Sequence, residues 1–385
     1  MRKCLHQRLL NLLTGAWRES GVRRFSANMK HFLMGWLGLC LGLVGTELRA
    51  QDVSFTQPGM VKREFVAAEP PTKSSHASTI IESKDVLIAS WFGGEYERSP
   101  DVSIFMSRNE GKGWSEAVEV ANGIHEEDHA RFPTWNPVLF RGKDGPLYLF
   151  YKEGPSPSEW WGLVKTSSDN GRTWGKSKRL PMGMVGPVRN KPIELADGTI
   201  LCGSSTEDEG WRLHMERTRN PLGLWTKTPA LNGSLDVAAI QPTLLNWPEA
   251  PLQLLCRSKN GAIYQSFSDD TGFTWRRVVR TELPNPNSAI DAVLLRDGRA
   301  LLVYNHSTEG RSVMNVAVSK DGKKWEAALL LENSPQDEFS YPAVIQGGDR
   351  MVHITYTWRR EKIRHVVIDP SKLATRPIID GQWPW

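Results

Sequence analysis

A run of five ionisable side chains is the first place where this sequence could do chemistry. The run contains residue types that bind metal ions, and it reads His125-Glu126-Glu127-Asp128-His129. Contiguous residues rarely converge on one ion, because the ligands of a metal must surround it. The run therefore favours a solvated loop over a metal site, and we expect neither a metal nor another cofactor.

A second group of polar and aromatic residues stands where apolar runs begin. Polar groups at these positions could complete a binding site, and tryptophan rings could stack on the faces of sugars. The group comprises Trp135 with Asn136, Arg189 with Asn190 and Lys191, and Asn287 with Asp291, while Trp91, Trp160 and Trp161 add further rings. Asparagines in loops more often act as caps, and most tryptophans pack in cores. None of these residues indicates a function on its own.

An internal repeat positions these candidates. The pattern Ser-x-Asp-x-Gly-x-x-Trp is complete at Ser167–Trp174 and Ser268–Trp275, and Ser107–Trp114 carries Asn109 in place of the aspartate. A shorter copy lies at Ser319–Trp325, and a degraded one at Thr218–Trp225. Successive copies begin 60, 51, 50 and 51 residues apart, a period typical of modular folds. Aspartate and glycine suit a hairpin turn and tryptophan suits packing between sheets, so these residues are predicted to be structural.

A second periodicity marks where each module begins. Apolar runs follow Pro137, Pro192, Pro242 and Pro342, and the segments 76–80 and 290–294 fill the same slot. Six such starts, with turn signals between strands, predict an all-β, six-bladed β-propeller of four-stranded antiparallel sheets. We expect the propeller at residues 71–370, a leading strand or tail at 51–70, and a C-terminal tail at 371–385.

The overall charge argues against a nucleic-acid partner. The net charge is +5, yet residues 1–50 hold eight Lys/Arg against Glu19 and Glu47 and so contribute +6, leaving −1 for residues 51–385. A nearly neutral body lacks the basic patch that binds phosphates. The propeller and its partners are therefore expected to involve no nucleic acid.

The first fifty residues are interpreted as a targeting segment. Residues 29–50 have a basic start, an apolar stretch from Phe32 to Val44, and a small residue, Ala50, before Gln51. This pattern predicts a cleaved signal peptide and export to the periplasm or the extracellular space, with no stable membrane insertion after processing. A retained membrane anchor is the alternative. The remaining Cys202 and Cys256 lie in apolar runs, which favours buried free thiols over a single disulfide.

The repeated turns resemble the Asp boxes of the sialidase (neuraminidase) superfamily over roughly residues 70–370. The resemblance implies an exo-glycosidase that acts on an acidic sugar, whose carboxylate is held by arginines because guanidinium forks match it bidentately. By position, Arg257 and Arg311 are similar to the second and third arginines of this clamp. Tyr341 stands where the family has its nucleophile, and Asp101 where it has its acid/base.

Two positions depart from the family pattern. His76 occupies the place of the first clamp arginine, and Gln241 occupies that of the glutamate that assists the tyrosine. A neutral amide cannot accept the tyrosine proton. Arg189 could replace the missing arginine, and Asp291 the missing base.

Three functions stay open for an acidic glycan partner. The first is hydrolysis of a terminal sialic or uronic acid. The second is a polysaccharide lyase with His76 and Tyr341 as base and acid, and the third is glycan binding without catalysis.

Overall fold

The structure is a computed structural model that describes residues 57–127, 129–233 and 235–385. The predicted signal peptide therefore lies outside the described residues. The regular secondary structure of the described chain is almost entirely β-strand, arranged in six antiparallel sheets that form a six-bladed β-propeller. The predicted fold class is confirmed.

The first three blades use residues 74–227. Strand β1 (Met60–Phe65) precedes them. Blade 1 contains β2 (Ser74–Ser83), β3 (Val86–Gly94), β4 (Ser103–Asn109) and β5 (Val118–Ala121); blade 2 contains β6 (Thr134–Arg141), β7 (Leu147–Glu153), β8 (Trp161–Ser167) and β9 (Lys178–Arg179); blade 3 contains β10 (Ile193–Glu194), β11 (Ile200–Thr206), β12 (Arg212–Thr218) and β13 (Thr226–Lys227).

The last three blades complete the ring. Blade 4 contains β14 (Ala239–Leu245), β15 (Leu252–Ser258), β16 (Ala262–Ser268) and β17 (Val279–Pro284); blade 5 contains β18 (Asp291–Leu294), β19 (Ala300–Tyr304), β20 (Val313–Ser319) and β21 (Glu326–Asn333); blade 6 contains β22 (Phe339–Gln346), β23 (Val352–Trp358) and β24 (Lys362–Ile368). A two-residue strand, β25 (Arg376–Pro377), lies in the C-terminal segment and adds a fifth strand to blade 5.

The core lies between blades rather than within one of them. Buried apolar side chains form clusters that each join neighbouring sheets, such as the cluster of Leu301 and Val316 of blade 5 with Ile354 and Val366 of blade 6. Similar clusters join blades 1 and 2, 2 and 3, 3 and 4, and 4 and 5. Each blade therefore buries both faces only when its two neighbours are in place. Cys202 and Cys256 lie in this core as buried free thiols, which confirms that prediction.

The repeated turns have the structural role that their composition predicts. In the second copy, the Asp169 carboxylate accepts hydrogen bonds from the Thr173 backbone N–H (2.9 Å) and hydroxyl (2.6 Å). The Ser167 hydroxyl accepts from the N–H of Gly171, whose φ of 77° suits glycine. The turns are thus held by their own side chains and add nothing to a catalytic site.

Strand β1 closes the ring. It pairs antiparallel with β24, with Lys62 opposite Val367 and Glu64 opposite His365, and so becomes the outer strand of blade 6. The N-terminal part of the described chain therefore completes the sheet that the C-terminal part begins. No helix within the described ranges is long and apolar enough to cross a membrane.

Candidate active site

One residue at the start of each blade has a left-handed backbone. Their φ values lie between 40° and 80°, and the residues are Ala77, Asn136, Arg189, Gln241, Asn287 and Tyr341. The register of the innermost strand shifts at this point in blades 1, 2, 4 and 6, as expected for a β-bulge. A bulge re-aims side chains, and strained non-glycine residues of this kind are typical of functional sites. The repeat therefore presents one such residue per blade.

In blade 1 the left-handed residue is Ala77, which follows His76 in the sequence. Neither residue carries a guanidinium group. The left-handed residue of blade 3 is Arg189, whose guanidinium carbon lies 5.5 Å from the centre of the Tyr341 ring.

Tyr341 lies at the centre of a cationic cluster. The guanidinium carbons of Arg189, Arg257 and Arg311 lie 5.5, 5.6 and 5.6 Å from the centre of its ring. Arg257 also donates a hydrogen bond from Nη1 to the phenol oxygen at 2.8 Å. The His76 ring lies 4.1 Å away between centroids. Three guanidinium groups around one phenol give this cluster a positive charge that can attract an anion.

Arg257 is held rigidly. Its Nε and Nη2 donate to Asn287 Oδ1 at 3.2 and 2.7 Å, and Nη2 also donates to the Asn287 carbonyl at 2.6 Å. Its Nη1 donates to Gln241 Oε1 at 3.2 Å as well as to Tyr341. Every N–H of this buried guanidinium thus has a protein acceptor. The two acceptors of Nη1, Gln241 Oε1 and the Tyr341 oxygen, are both uncharged groups.

The other two arginines differ in their surroundings. Arg311 pairs with Glu338 Oε1 at 3.2 Å and donates to the Asn287 carbonyl at 3.1 Å. Arg189 is buried, donates to Asn190 Oδ1 at 2.7 Å, and has an Nε with no hydrogen-bond partner among the described residues. Burial lowers the pKa of Arg189 to about 10, although the charge of Asp291 acts in the opposite direction. A buried cation that makes no direct ion pair with a carboxylate in the described part of the chain adds positive charge to the cluster.

His76 is enclosed by the cluster. Its Nδ1 lies 2.9 Å from the Thr357 hydroxyl, and its buried Nε2 has no hydrogen-bond partner among the residues that the structure describes. Burial, together with the charges of Arg360 and the three cluster arginines, holds the pKa of His76 well below its usual range. These effects favour the neutral imidazole, and its Nε2 faces protein rather than solvent.

A cavity of about 110 Å³ opens beside Tyr341. Arg257 and Gln241 line it, and Trp135, Trp160 and Trp211 form aromatic walls together with Asn136. The Trp135 indole is buried and donates to the Gly154 carbonyl at 2.9 Å, so that wall is fixed. The Arg257 guanidinium suits the carboxylate of an acidic sugar, and the aromatic walls suit its apolar ring face.

Two carboxyl groups that the sequence interpretation missed also line this cavity. Glu97 accepts from Arg360 at 2.6 Å, and Glu207 lies in the loop between β11 and β12. Burial raises the pKa of Glu207 by more than Arg257 and the Trp211 hydrogen bond lower it. In the sequence Glu207 belongs to the acidic run Glu207-Asp208-Glu209, and such a run indicates a solvated loop rather than a binding site.

Asp101 and Asp291 lie outside the cavity lining, although the charge of Asp291 acts on Arg189 of the cluster. Asp101 is exposed, is not among the described residues that line the cavity, and accepts from the Glu95 N–H at 2.9 Å. Although burial raises the pKa of Asp101, hydrogen bonds from Ser99 and Glu95 outweigh it and lower the pKa overall. Asp291 is buried and accepts hydrogen bonds from Lys191 Nζ, the Thr243 hydroxyl and the Val344 N–H.

The ionisable run at residues 125–129 lies in a loop. His125 Nε2 lies 2.5 Å from Glu153 Oε1, and Asp128 lies outside the described residues. Within the described part of the chain, no group of three or more His, Cys, Asp or Glu side chains is arranged to hold a metal ion.

Residues 85–354 match the model of the BNR repeat-like domain family. Among solved structures, the chain is similar to a Hadza microbial sialidase, with 16% identity and a TM-score of 0.68 over 81% of this chain and 69% of that chain. It is similar to a protein of unknown function from Dyadobacter fermentans, with 14% identity and a TM-score of 0.66 over 83% of this chain and 100% of that chain. A mutant NanB sialidase from Streptococcus pneumoniae gives 12% identity and a TM-score of 0.66 over 84% and 72%. No curated protein matches the chain. At such identities these structural similarities concern the fold.

Proposed function

Because the chain belongs to the BNR repeat-like domain family, we propose that the cavity beside Tyr341 cleaves a terminal acidic sugar from glycans, as an exo-glycosidase similar to sialidases. The observation that carries this proposal is the cluster of three guanidinium groups within 5.6 Å of the Tyr341 ring. A sialic acid and a uronic acid both offer the carboxylate that this cluster attracts.

Gln241 accepts a hydrogen bond from Arg257 that a substrate carboxylate could take over. Its amide oxygen is a neutral acceptor on Arg257 Nη1 at 3.2 Å, a long contact. A carboxylate forms shorter and roughly twice as strong hydrogen bonds with a guanidinium, so it can displace the amide. A glutamate at this position would compete with the substrate for Arg257. The departure from the family pattern is therefore consistent with a site that binds an anion.

Tyr341 then faces the carbon at which the bond breaks. When the glycosidic C–O bond breaks, its electron pair goes to the leaving oxygen and positive charge develops on the sugar carbon. A lone pair of the phenol oxygen stabilises that charge, and water adds to the carbon to complete hydrolysis. The leaving oxygen needs a proton from a carboxyl group, which the family resemblance would assign to Asp101.

The test compares acidic substrates with matched neutral ones. Purified protein is assayed on a terminal sialoside, on a terminal uronide, and on the methyl ester of each. We expect turnover of one acid and little of its ester. A charge-assisted contact contributes about 1.5–3 kcal/mol, so Arg257→Ala and Arg311→Ala should each lower kcat/KM on the acid by about 10- to 200-fold.

Arg276→Ala is the control variant, because Arg276 pairs with Asp269 at the surface of a repeated turn. Equal activity of wild type, Arg257→Ala and Arg311→Ala on the acid would refute the clamp. A product with an ultraviolet-absorbing double bond would identify a lyase instead. That result is not expected, since the free nitrogen of His76 is buried.

A binding propeller without catalysis is the second candidate. It is favoured by one contact, since the phenol oxygen of Tyr341 bonds to Arg257 and the neighbouring position 241 is an amide. Calorimetric binding of the acidic sugar with no release of product from any of the four substrates would select it.

We also propose that the protein is exported and begins near Gln51 when mature, from the pattern at residues 29–50. N-terminal sequencing of protein recovered outside the cytoplasm tests this. Recovery of residues 29–50 in that material would contradict it.

A further inference from the structure

Resting on the proposed glycosidase activity, we propose that Glu207, rather than Asp101, gives the leaving oxygen its proton. Glu207 lines the same cavity as Tyr341, Arg257 and Gln241. Asp101 lies outside that lining, on the surface, with one carboxylate oxygen occupied by the N–H of Glu95. A proton donor must stand within hydrogen-bond reach of the bond it helps to break, so position favours Glu207.

Glu207 and the reacting tyrosine line one cavity together with Trp211 and Arg257. The Arg257 guanidinium lies 5.2 Å from the Trp211 ring and donates to the Tyr341 oxygen. The guanidinium that would hold the sugar carboxylate therefore lines the same cavity as Glu207 and Tyr341. A sugar held there would have its anomeric carbon near Tyr341 and its leaving group toward the aromatic rim.

The charges around Glu207 suit a proton donor. Arg257, Lys259 and Arg98 face it and favour the carboxylate, and so does Trp211. Burial outweighs all four and raises the pKa of Glu207, which favours the acid form that a proton donor needs. Asp101 has the opposite balance and a lowered pKa.

The proposed proton transfer and hydrolysis need no reagent other than water. The glycosidic bond breaks, its electron pair goes to the leaving oxygen, and the Glu207 proton moves to that oxygen. Water then adds to the sugar carbon and gives one proton to the Glu207 carboxylate. Glu207 is returned to its acid form, and one water molecule has been consumed for each bond cleaved.

The experiment uses leaving groups of different acidity on the same sugar. A glycan leaving group needs protonation, whereas a nitrophenol leaves as its anion. We expect Glu207→Gln to lower kcat/KM on the glycan by about 10²–10⁴-fold and to change it on the nitrophenyl glycoside by less than about 10-fold. Wild-type kcat/KM on the glycan should fall as pH rises through the raised pKa of Glu207, and Glu207→Gln should lack that limb.

Asp208→Asn, an exposed neighbour, is the control for the loop. Unfolding midpoints and affinity for the product sugar show whether each variant is folded and binds. Equal losses on both substrates, or a selective loss on the glycan in Asp101→Asn with none in Glu207→Gln, would overturn the assignment. Failure of the wild type on every substrate would instead refute the proposed function itself.

Discussion

Replacement of Asp291 by alanine should destabilise the propeller far more than replacement of any exposed aspartate. Its carboxylate binds Lys191 Nζ at 2.8 Å, the Thr243 hydroxyl at 2.8 Å and the Val344 N–H at 2.9 Å. These partners belong to blades 3, 4 and 6, while Asp291 itself belongs to blade 5. One carboxylate therefore ties together four of the six blades.

The magnitude follows from what Asp291→Ala leaves behind. The Asp291 side chain is 2% exposed and that of Lys191 is 23% exposed, so the ammonium group would be left mostly buried and unpaired. Removal of one partner of a buried ion pair costs about 3–5 kcal/mol. The partial exposure of Lys191 allows some rehydration, so we expect about 3 kcal/mol. Since domains are typically stable by about 5–15 kcal/mol, the loss is large.

Urea unfolding followed by tryptophan fluorescence measures this loss. Asp297→Ala is the matched control, because Asp297 lies in the same blade but pairs with Arg299 at a surface turn, where an ion pair contributes about 0–1 kcal/mol. If the loss comes from the unpaired charge, adding Lys191→Met should recover part of it. Our interpretation is refuted if Asp291→Ala and Asp297→Ala unfold at the same urea concentration.

Three further predictions concern single positions. Gln241→Glu should lower kcat/KM on the acidic substrate, because the new carboxylate would pair with Arg257, and a gain on a sialoside would contradict this. His76→Phe should keep packing against Tyr341 and change hydrolysis by less than about 10-fold, whereas loss of a general base would cost about 10²–10⁴-fold. Hydrogen bonds from Thr274 hold the pKa of Asp270 at about 2, so its stabilising effect is present above the unfolded value of about 3.9 and is lost as pH falls through about 2. Asp270→Asn should remove that part of the acid dependence of the unfolding midpoint.

The number of blades could be predicted because the turn signal is local. A hairpin such as Ser167–Trp174 needs aspartate, glycine and tryptophan at set spacing whatever the rest of the chain does. The period then places each inner strand, and it brings Arg257, Arg311 and Tyr341 onto one mouth by their order within the blades. That much of the site follows from counting residues between turns.

The rest depends on backbone detail and on other blades. In blade 1 the left-handed residue is Ala77, which follows His76, and no residue type marks that position. Glu207 lies in the loop between β11 and β12 and lines the cavity with residues of other blades, a placement that its neighbours in the sequence do not indicate. The sequence suggested that Asp291 could replace the missing base, yet its carboxylate accepts hydrogen bonds from residues of three other blades. Those contacts exist only in the closed ring.

The pairing of β1 with β24 has a consequence for the order in which the chain can fold. Strand β1 comes first in the described chain and pairs with β24, which lies about three hundred residues later, as in the pair Glu64 and His365. Contacts of such high sequence separation form slowly, because a long loop must close before they stabilise anything. Until then β1 is an unpaired edge, and its charged residues Lys62, Arg63 and Glu64 discourage pairing with other chains. Truncation of the chain before β24 should therefore leave an open, aggregation-prone ring rather than a smaller propeller.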